Sequence, residues 1–356
     1  MNAAIVSIDR LRVRGLGLSR EWLQSEPLLD RLQRPLTDLR LSVTDRCNFR
    51  CTYCMPRSHL GPVVPPTTRS NLLTFEELTS IASAFVELGV HKVRVTGGEP
   101  LVRKGLPKLV EQLHRLPIRD LCLTTNGSLL AGQAKALAAA GLGRVTVSLD
   151  ALDEPTFHRM SDTQSPLSRV LAGIEAARKY GLDPVKINMV VQREVNEHSI
   201  LPMAAWARRE GLELRFIEYM DVGRSNGWKP YDVVTAGEIK KRLCEQWSLE
   251  ALTSSTATET AERYRYCDGG GTIGLIASIS RPFCRGCTRA RVSSTGDLYP
   301  CLFAPAGYSL TDTLRQGGNV RALIAELWRR RADRYSELRA DAQGTQSRHE
   351  MWTIGG

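Results

Sequence analysis

Between Leu39 and Glu218 the chain alternates short apolar runs with longer stretches whose apolar residues recur every three or four positions. The runs 39–44, 92–96, 120–125, 144–149, 185–191 and 212–218 predict strands. The stretches 75–88, 104–115, 128–140, 167–180 and 198–210 predict amphipathic helices, and Gly89, Gly141, Gly181 and Gly211 stand where helices should stop. Strand-then-helix units in series imply a parallel sheet with right-handed crossovers. Six such strands are too few for a closed eight-unit barrel. The fold class expected is therefore α/β, an open partial (β/α)6 barrel with its mouth at the strand C-terminal ends.

After Met220 the rhythm changes. Residues 236–247 predict a helix, 252–262 a polar linker, and 263–280 a hairpin turning at Asp268-Gly269-Gly270-Gly271. A long basic helix near 319–340 and a tail ending Ile354-Gly355-Gly356 complete the chain. Residues 1–34 show no clear period. The organisation expected is an extension (1–34), a barrel (35–225) and a C-terminal domain (226–356).

Composition narrows this picture only slightly. With 356 residues, 42% hydrophobic and 24% charged, the chain can bury a sizeable core. No apolar run approaches a membrane span, and the first residues lack the features of a secretory signal, so a cytoplasmic protein without a membrane partner is expected. The net charge of +10 would suit phosphate or nucleic acid. Much of it lies in Arg10 to Arg34 and in Trp328-Arg329-Arg330-Arg331, which read as an arm and a solvated helix face, and no nucleic-acid partner is expected.

The cysteines change the picture more. Cys47, Cys51 and Cys54 fall within eight residues, directly after the first predicted strand. Three thiolates can converge on one centre from so short a loop, but no local fourth ligand is present. Structural zinc wants four closed ligands, whereas an iron–sulfur cubane on three cysteines keeps one iron open. A zinc knuckle or three unrelated core cysteines is the alternative. Cys284, Cys287 and Cys301 form a second set, with no histidine between residues 199 and 348. A second cubane, or zinc completed by a carboxylate or Cys267, would satisfy them. Cys122, Cys244 and Cys267 match no ligand pattern. Thr96-Gly97-Gly98-Glu99-Pro100 follows a predicted strand; its glycines allow close approach to the backbone, and Glu99 offers a carboxylate to a cation. If extended, Arg289-Ala290-Arg291 projects two guanidiniums from one face, a geometry suited to phosphate oxygens.

The first cysteine loop, with Tyr53 before its third thiol, resembles the signature of the radical S-adenosylmethionine enzymes. Within that superfamily, 38–47, 93–100, 221–228, the second cysteine set with Arg289 and Arg291, and the terminal Gly-Gly are similar to the GTP 3′,8-cyclases of molybdenum cofactor biosynthesis. The resemblance runs from about residue 35 to the end. It implies two [4Fe-4S] clusters, the first on Cys47, Cys51 and Cys54 and the second on Cys284, Cys287 and Cys301. It implies S-adenosylmethionine contacts at Tyr53, Gly98, Glu99, Ser148 and Met220. GTP contacts are implied at Arg40, Arg94, Thr125, Lys186, Arg289 and Arg291, with Arg40, Arg289 and Arg291 as catalytic residues and Gly355 and Gly356 reaching the active site. The implied product is (8S)-3′,8-cyclo-7,8-dihydroguanosine 5′-triphosphate. The implied partners are a low-potential electron donor, the downstream cyclic pyranopterin monophosphate synthase and a second copy in a homodimer. Two rivals remain at this stage: a peptide-modifying radical enzyme with an auxiliary cluster, and a zinc protein that binds nucleic acid.

Overall fold

The computed structural model describes residues 27–57, 71–223, 225–253, 259–339 and 349–355. The first half is a run of β/α units: β1 (Asp38–Ser42), α1 (Phe75–Glu87), β2 (Lys92–Thr96), α2 (Leu106–His114), β3 (Asp120–Thr125), α3 (Ala134–Ala139), β4 (Arg144–Ser148), α4 (Glu154–Ser161), α5 (Leu167–Lys179), β5 (Lys186–Val191), α6 (Ile200–Arg209) and β6 (Glu213–Glu218). All six expected strands form, and they pair in parallel in sequence order.

The second half adds α7 (Ala236–Cys244), β7 (Leu249–Ala251), β8 (Glu262–Tyr266), β9 (Thr272–Ile276), β10 (Arg289–Val292), β11 (Asp297–Tyr299), β12 (Tyr308–Ser309), α8 (Thr311–Arg315), α9 (Val320–Arg330) and α10 (Met351–Ile354). The expected hairpin is β8–β9. Its strand β9 also pairs in parallel with β6, and β10 pairs in parallel with β1. The parallel run therefore extends to β10-β1-β2-β3-β4-β5-β6-β9, with short antiparallel strands outside each end of an open sheet. The segment after Met220 thus continues the first half's sheet at both edges.

Strict alternation along each strand builds two different faces. Leu39, Leu41, Val93, Val95, Val145, Val147, Ile187, Met189, Leu214 and Phe216 are buried in one continuous core with the helices. The residues between them, including Arg40, Arg94, Arg144, Lys186, Asn188 and Arg215, line an internal cavity. A parallel sheet covered on both faces reads as unbroken apolar runs. Here the period of two persists because the inner face carries charge.

Several local expectations are corrected. The helix expected over 128–140 is confined to Ala134–Ala139, and α4, which had not been expected, is nucleated by Asp153, whose side chain accepts from Thr156 N. The basic helix expected over 319–340 stops at Arg330, because Arg331 leaves helical geometry (φ −60°, ψ 127°) and turns inward. Arg331 is buried and so is Trp328, so only part of that stretch is a solvated face. The described part of the N-terminal extension is likewise built in: Leu28, Asp30 and Arg34 are buried. Residues 1–26 and Gly356 lie outside the described residues.

Phe216 is fully buried in the centre of β6, between β5 and β9. Phe216→Ala is expected to lose about 3–5 kcal/mol of stability. By contrast, Tyr308→Ala, at a position that is 51% exposed, should stay within about 0.5 kcal/mol. Denaturant melts of both variants check the pair.

Candidate active site

The first cysteine loop leaves the C-terminal end of β1 and is folded by backbone contacts. Cys54 N and Met55 N both donate to Cys51 O, at 3.0 and 2.9 Å, making a tight turn between the second and third cysteines. Arg50 N and Thr52 N donate to Ser161 O and Met160 O at the end of α4. Phe49 packs edge-on against Phe157 with centroids 6.0 Å apart. Burial pushes the Cys47 thiol up to about 11, with Glu99 adding to the effect. Burial and the neighbouring thiols together push Cys51 far up. Half-buried thiols whose ionisation is opposed fit a cationic metal cluster, whose charge would let them act together as thiolates.

Tyr53 donates its hydroxyl to Asp150 Oδ2 at 2.9 Å, while Asp150 Oδ1 accepts from Val190 N at 2.9 Å. Burial pushes the Asp150 carboxyl up to about 6 against those two donors. The Tyr53 side chain is thus fixed by β4 and β5, its ring packed with Met160 and Tyr219. Asp150 was not anticipated from sequence. Its signal was its place immediately beyond the C-terminal end of β4, where a parallel sheet collects functional groups.

Gly97 and Gly98 allow a close approach of backbone to backbone. A Cβ on Gly98 would lie 2.5 Å from Arg46 O, and one on Gly97, at φ +152°, would lie 2.4 Å from Thr44 O. The close approach is made by the cysteine loop's own backbone, and Gly98 N donates to Thr44 O at 2.7 Å. Glu99 is likewise a clamp. Its Oε1 accepts from Leu101 N and Thr125 Oγ1 at 3.0 and 2.8 Å, and its Oε2 from Asn126 N at 2.7 Å. Burial raises this carboxyl to about 7 against those donors. Asn126 passes the connection onward, donating to Asn48 Oδ1 at 2.9 Å. Thr125, expected at the substrate, is engaged by Glu99; the alternation of β3 sends Thr124 into the cavity in its place. Ser148 continues the inner face of β4 beyond Arg144 and Thr146, and Met220 lines the cavity.

That cavity, about 510 Å³, brings both halves of the chain together. Cys284, Cys287 and Cys301 line it, together with Arg40, Arg94, Lys186, Arg289 and Arg291. The sheet register explains the arrangement: Arg40 on β1 stands directly opposite Arg94 on one side and Arg291 on the other. Arg94 is steadied by Thr124 and Thr146, at 2.8 and 3.2 Å from Nη1. Burial and the charges of Arg291, Arg289 and Arg94 pull Arg40 well below the usual guanidinium range. Burial and Arg289 bring Arg291 down to about 10. Arg40 Nε and Arg291 Nε are buried donors with no partner among the described residues. Guanidiniums pressed together against their own repulsion form a site for a polyanion.

Charge elsewhere on the inner face is paired. Lys186 Nζ meets both oxygens of Glu213 at 3.0 and 2.9 Å, and Arg215 Nε reaches Glu213 at 2.7 Å. Arg144 forks onto Asp120 at 2.9 and 2.6 Å. Burial and Arg215 pull Lys186 down to about 8, with Glu213 opposing. Around the second set, burial pushes the Cys287 thiol up, but Arg289 and Arg331 outweigh it and bring it to about 5. Among the described residues no group of three or more His, Cys, Asp or Glu is placed to hold a single metal ion, and all nine cysteines are free. The tail reaches the mouth: Ile354 is buried, and a Cβ on Gly355 would lie 2.2 Å from Thr96 Cγ2.

The family models agree with this division of labour. Residues 41–207 match the Radical SAM superfamily, and residues 212–337 match Molybdenum Cofactor Synthesis C. The chain is 53% identical to the GTP 3′,8-cyclase of Acidothermus cellulolyticus, over 90% of this chain and 91% of that one. The chain belongs to the GTP 3′,8-cyclase family. The cyclase of Xanthomonas campestris is 48% identical over 94% of this chain and 99% of its own length. That of Staphylococcus epidermidis is 43% identical over 88% and 94%. Among solved structures, Streptococcus suis SuiB bound to precursor peptide SuiA matches with a TM-score of 0.58 at 14% identity, over 91% of this chain and 66% of that one, a likeness of fold alone. Membership of the Radical SAM superfamily implies a [4Fe-4S] cluster and S-adenosylmethionine for this cyclase-family chain. No described helix is long and apolar enough to cross a membrane.

Since Gly98 abuts Asp45 and Arg46 beside the first thiol, Gly98→Ala must displace the cysteine loop or its own turn. Overpacking of this kind costs about 1–3 kcal/mol. After anaerobic reconstitution, the variant is expected to retain less iron and sulfide than the unaltered chain. Iron and sulfide analysis of both proteins checks this.

Proposed function

We propose that the chain converts GTP into (8S)-3′,8-cyclo-7,8-dihydroguanosine 5′-triphosphate, an early step of molybdenum cofactor biosynthesis. The observation that carries this reading is the row Arg291–Arg40–Arg94, on three adjacent parallel strands, facing the same cavity as Cys284, Cys287 and Cys301. A nucleoside triphosphate suits that cavity at both ends: planar guanidinium forks for its phosphates, and for its base a second [4Fe-4S] cluster whose three-cysteine ligation leaves one iron open. A [4Fe-4S] cluster held by Cys47, Cys51 and Cys54 would supply the electron for reductive cleavage of S-adenosylmethionine.

The chain's own residues supply position and enclosure. Arg40, Arg94, Arg289, Arg291 and Lys186 hold the triphosphate, so that the ribose C3′–H is presented toward the mouth. Gly98, Glu99, Ser148, Met220 and the backbone at Tyr53 frame S-adenosylmethionine there. Fixing the nucleotide at both ends selects one hydrogen among many, because the reacting atoms are held close instead of meeting by diffusion. With the C3′ hydrogen atom transferred to the 5′-deoxyadenosyl group of S-adenosylmethionine, C3′ bonds to C8 of the same molecule, and one further electron and a proton complete the product. Met351 lines the cavity and Gly355 abuts Thr96 at its mouth, so the tail narrows access to that space. The cofactors provide the difficult chemistry, and the protein provides binding and orientation. A low-potential electron donor, transfer of product to a downstream cyclic pyranopterin monophosphate synthase, and a homodimer belong to the same reading.

Anaerobic incubation of the two-cluster protein with GTP, S-adenosylmethionine and dithionite, followed by mass spectrometry, tests it. Deoxyadenosine together with an isomer of GTP is expected; deoxyadenosine with unchanged GTP would sink the substrate assignment. Arg40→Met should lower kcat/KM for GTP by about 30-fold or more, as loss of a buried charge partner does. The same substitution removes a mutually repelled buried charge, so the ligand-free variant should melt no lower than the wild type.

The pH dependence follows from Lys186. Its pKa of about 8 means that it is charged below that pH and loses its charge as pH rises through it. GTP affinity is therefore expected to weaken between about pH 7 and 9, and Lys186→Arg should flatten the profile because arginine stays protonated. Calorimetric Kd values across that range decide the point; an unchanged slope in the arginine variant would remove Lys186 from the triphosphate site.

A further inference from the structure

Beneath the second cysteine set lies a buried ion cluster that the reaction just described does not use. Arg34 Nε meets Asp30 Oδ2 at 2.6 Å, and Arg331 Nη1 meets the same oxygen at 3.1 Å. The three side chains are 0–2% exposed. Arg34 Nη1 donates to Cys284 O and Asp333 O, both at 2.9 Å, and so ties the start of the cysteine loop to the chain beyond α9. Arg331 lies over the Trp328 ring at 4.4 Å, and Trp328 Nε1 donates back to Arg34 O at 3.2 Å. From this fixed position Arg331 reaches Cys287 twice: Nη1 donates to its carbonyl at 2.7 Å and Nη2 to Sγ at 3.2 Å.

The charges in this cluster do not balance on their own. Asp30 supplies one negative charge against two guanidiniums, and buried charge without a counter-charge is strongly unfavourable. The group nearest the surplus is Cys287 Sγ, which also accepts from Arg289 Nη2 at 3.5 Å. Buried Arg331 Nε and Arg34 Nη2 have no partner among the described residues.

We propose that Arg331, anchored by Asp30 and Trp328, is a positioning residue for the second cluster: it orients the Cys287 ligand and, through its charge-assisted bond to Sγ, raises the cluster's reduction potential. The inference rests on the second-cluster reading above. Hydrogen bonds and positive charge at a ligand sulfur stabilise the reduced, more negative state of a cluster. Asp30 and Arg34 belong to the scaffold that holds this arrangement, although they precede the first barrel strand.

The test uses the full chain carrying Cys47→Ser, Cys51→Ser and Cys54→Ser, so that only the second set binds iron, with EPR-monitored redox titration as the readout. Arg331→Met is expected to shift the reduction equilibrium at least tenfold toward the oxidised form, about 59 mV more negative for one electron. Arg331→Gln should fall in between, and Arg331→Lys, which keeps a charge without the fork, should recover most of the shift. Loss of iron from the second set alone, with the far-ultraviolet spectrum and melting temperature unchanged, would equally support positioning. A full cluster with an unchanged potential in Arg331→Met overturns the proposal, as does unfolding of all three variants, which would make Arg331 a fold residue only. Absence of iron from the second set in the Arg331-containing parent would overturn the second-cluster reading and this proposal together.

Discussion

Strand β1 has a parallel partner on each side, and those partners come from distant parts of the sequence. This pairing is the constraint on which the site depends. β2 follows β1 by one helix, whereas β10 returns from almost 250 residues later. Their registers put Arg40 between Arg94 and Arg291 and bring Cys284, Cys287 and Cys301 to the cavity wall. The loop leaving β1 carries the other three thiols. One five-residue strand therefore connects both cysteine sets and the cationic row. A slip of one residue in its pairing with β10 would send Arg289 and Arg291 into the helical layer, since side chains alternate along a strand.

The inner face handles its buried charges in two ways. Residues that begin their strands are paired: Lys92 with Asp38, Arg144 with Asp120, Lys186 with Glu213. Such pairs contribute little net stability once desolvation is counted, but they fix the geometry of the cavity wall. Arg40 and Arg291 are left to repel each other and their neighbours, and burial intensifies the effect by lowering the local dielectric. The protein thus retains a destabilising feature where an anionic ligand would relieve it, the usual relation between strain and function. The first cysteine loop shows the opposite sign, since its neighbouring thiols resist ionisation.

Support for the reactive groups is drawn from elements far from them in sequence. Glu99 and Asn126 join the ends of β2 and β3 to the first cysteine loop, and the end of α4 receives that loop's backbone. Ser225 donates to Glu350 at 2.9 Å, holding the start of the final helix against the turn after β6. Around the second set, a segment before β1 and the turn after α9 meet at a single carboxylate, Asp30. Each support satisfies buried polar atoms that would otherwise be costly, so positioning and stability are served by the same bonds.

Local periodicity determined the six strands and most of their helices, because alternation and amphipathic spacing are properties of neighbouring residues. Thiol spacing marked both cysteine loops for the same reason. The alternation also held unused information: Thr124, Arg144, Asn188 and Arg215 occupy inward positions of strands whose outward residues are apolar, and all four line the cavity. The expectation named Thr125, whose hydroxyl is engaged by Glu99, whereas the period of β3 turns Thr124 to the cavity. No local pattern could show that β9 and β10 would extend the sheet at opposite edges, that Gly98 yields to Arg46 backbone, or that Arg331 leaves a basic helix to reach Cys287. Those outcomes depend on pairings between residues tens to hundreds of positions apart. Sequence specified the chemistry and the units; long-range register and burial decided which charges face one another, because only the folded chain removes them from water together.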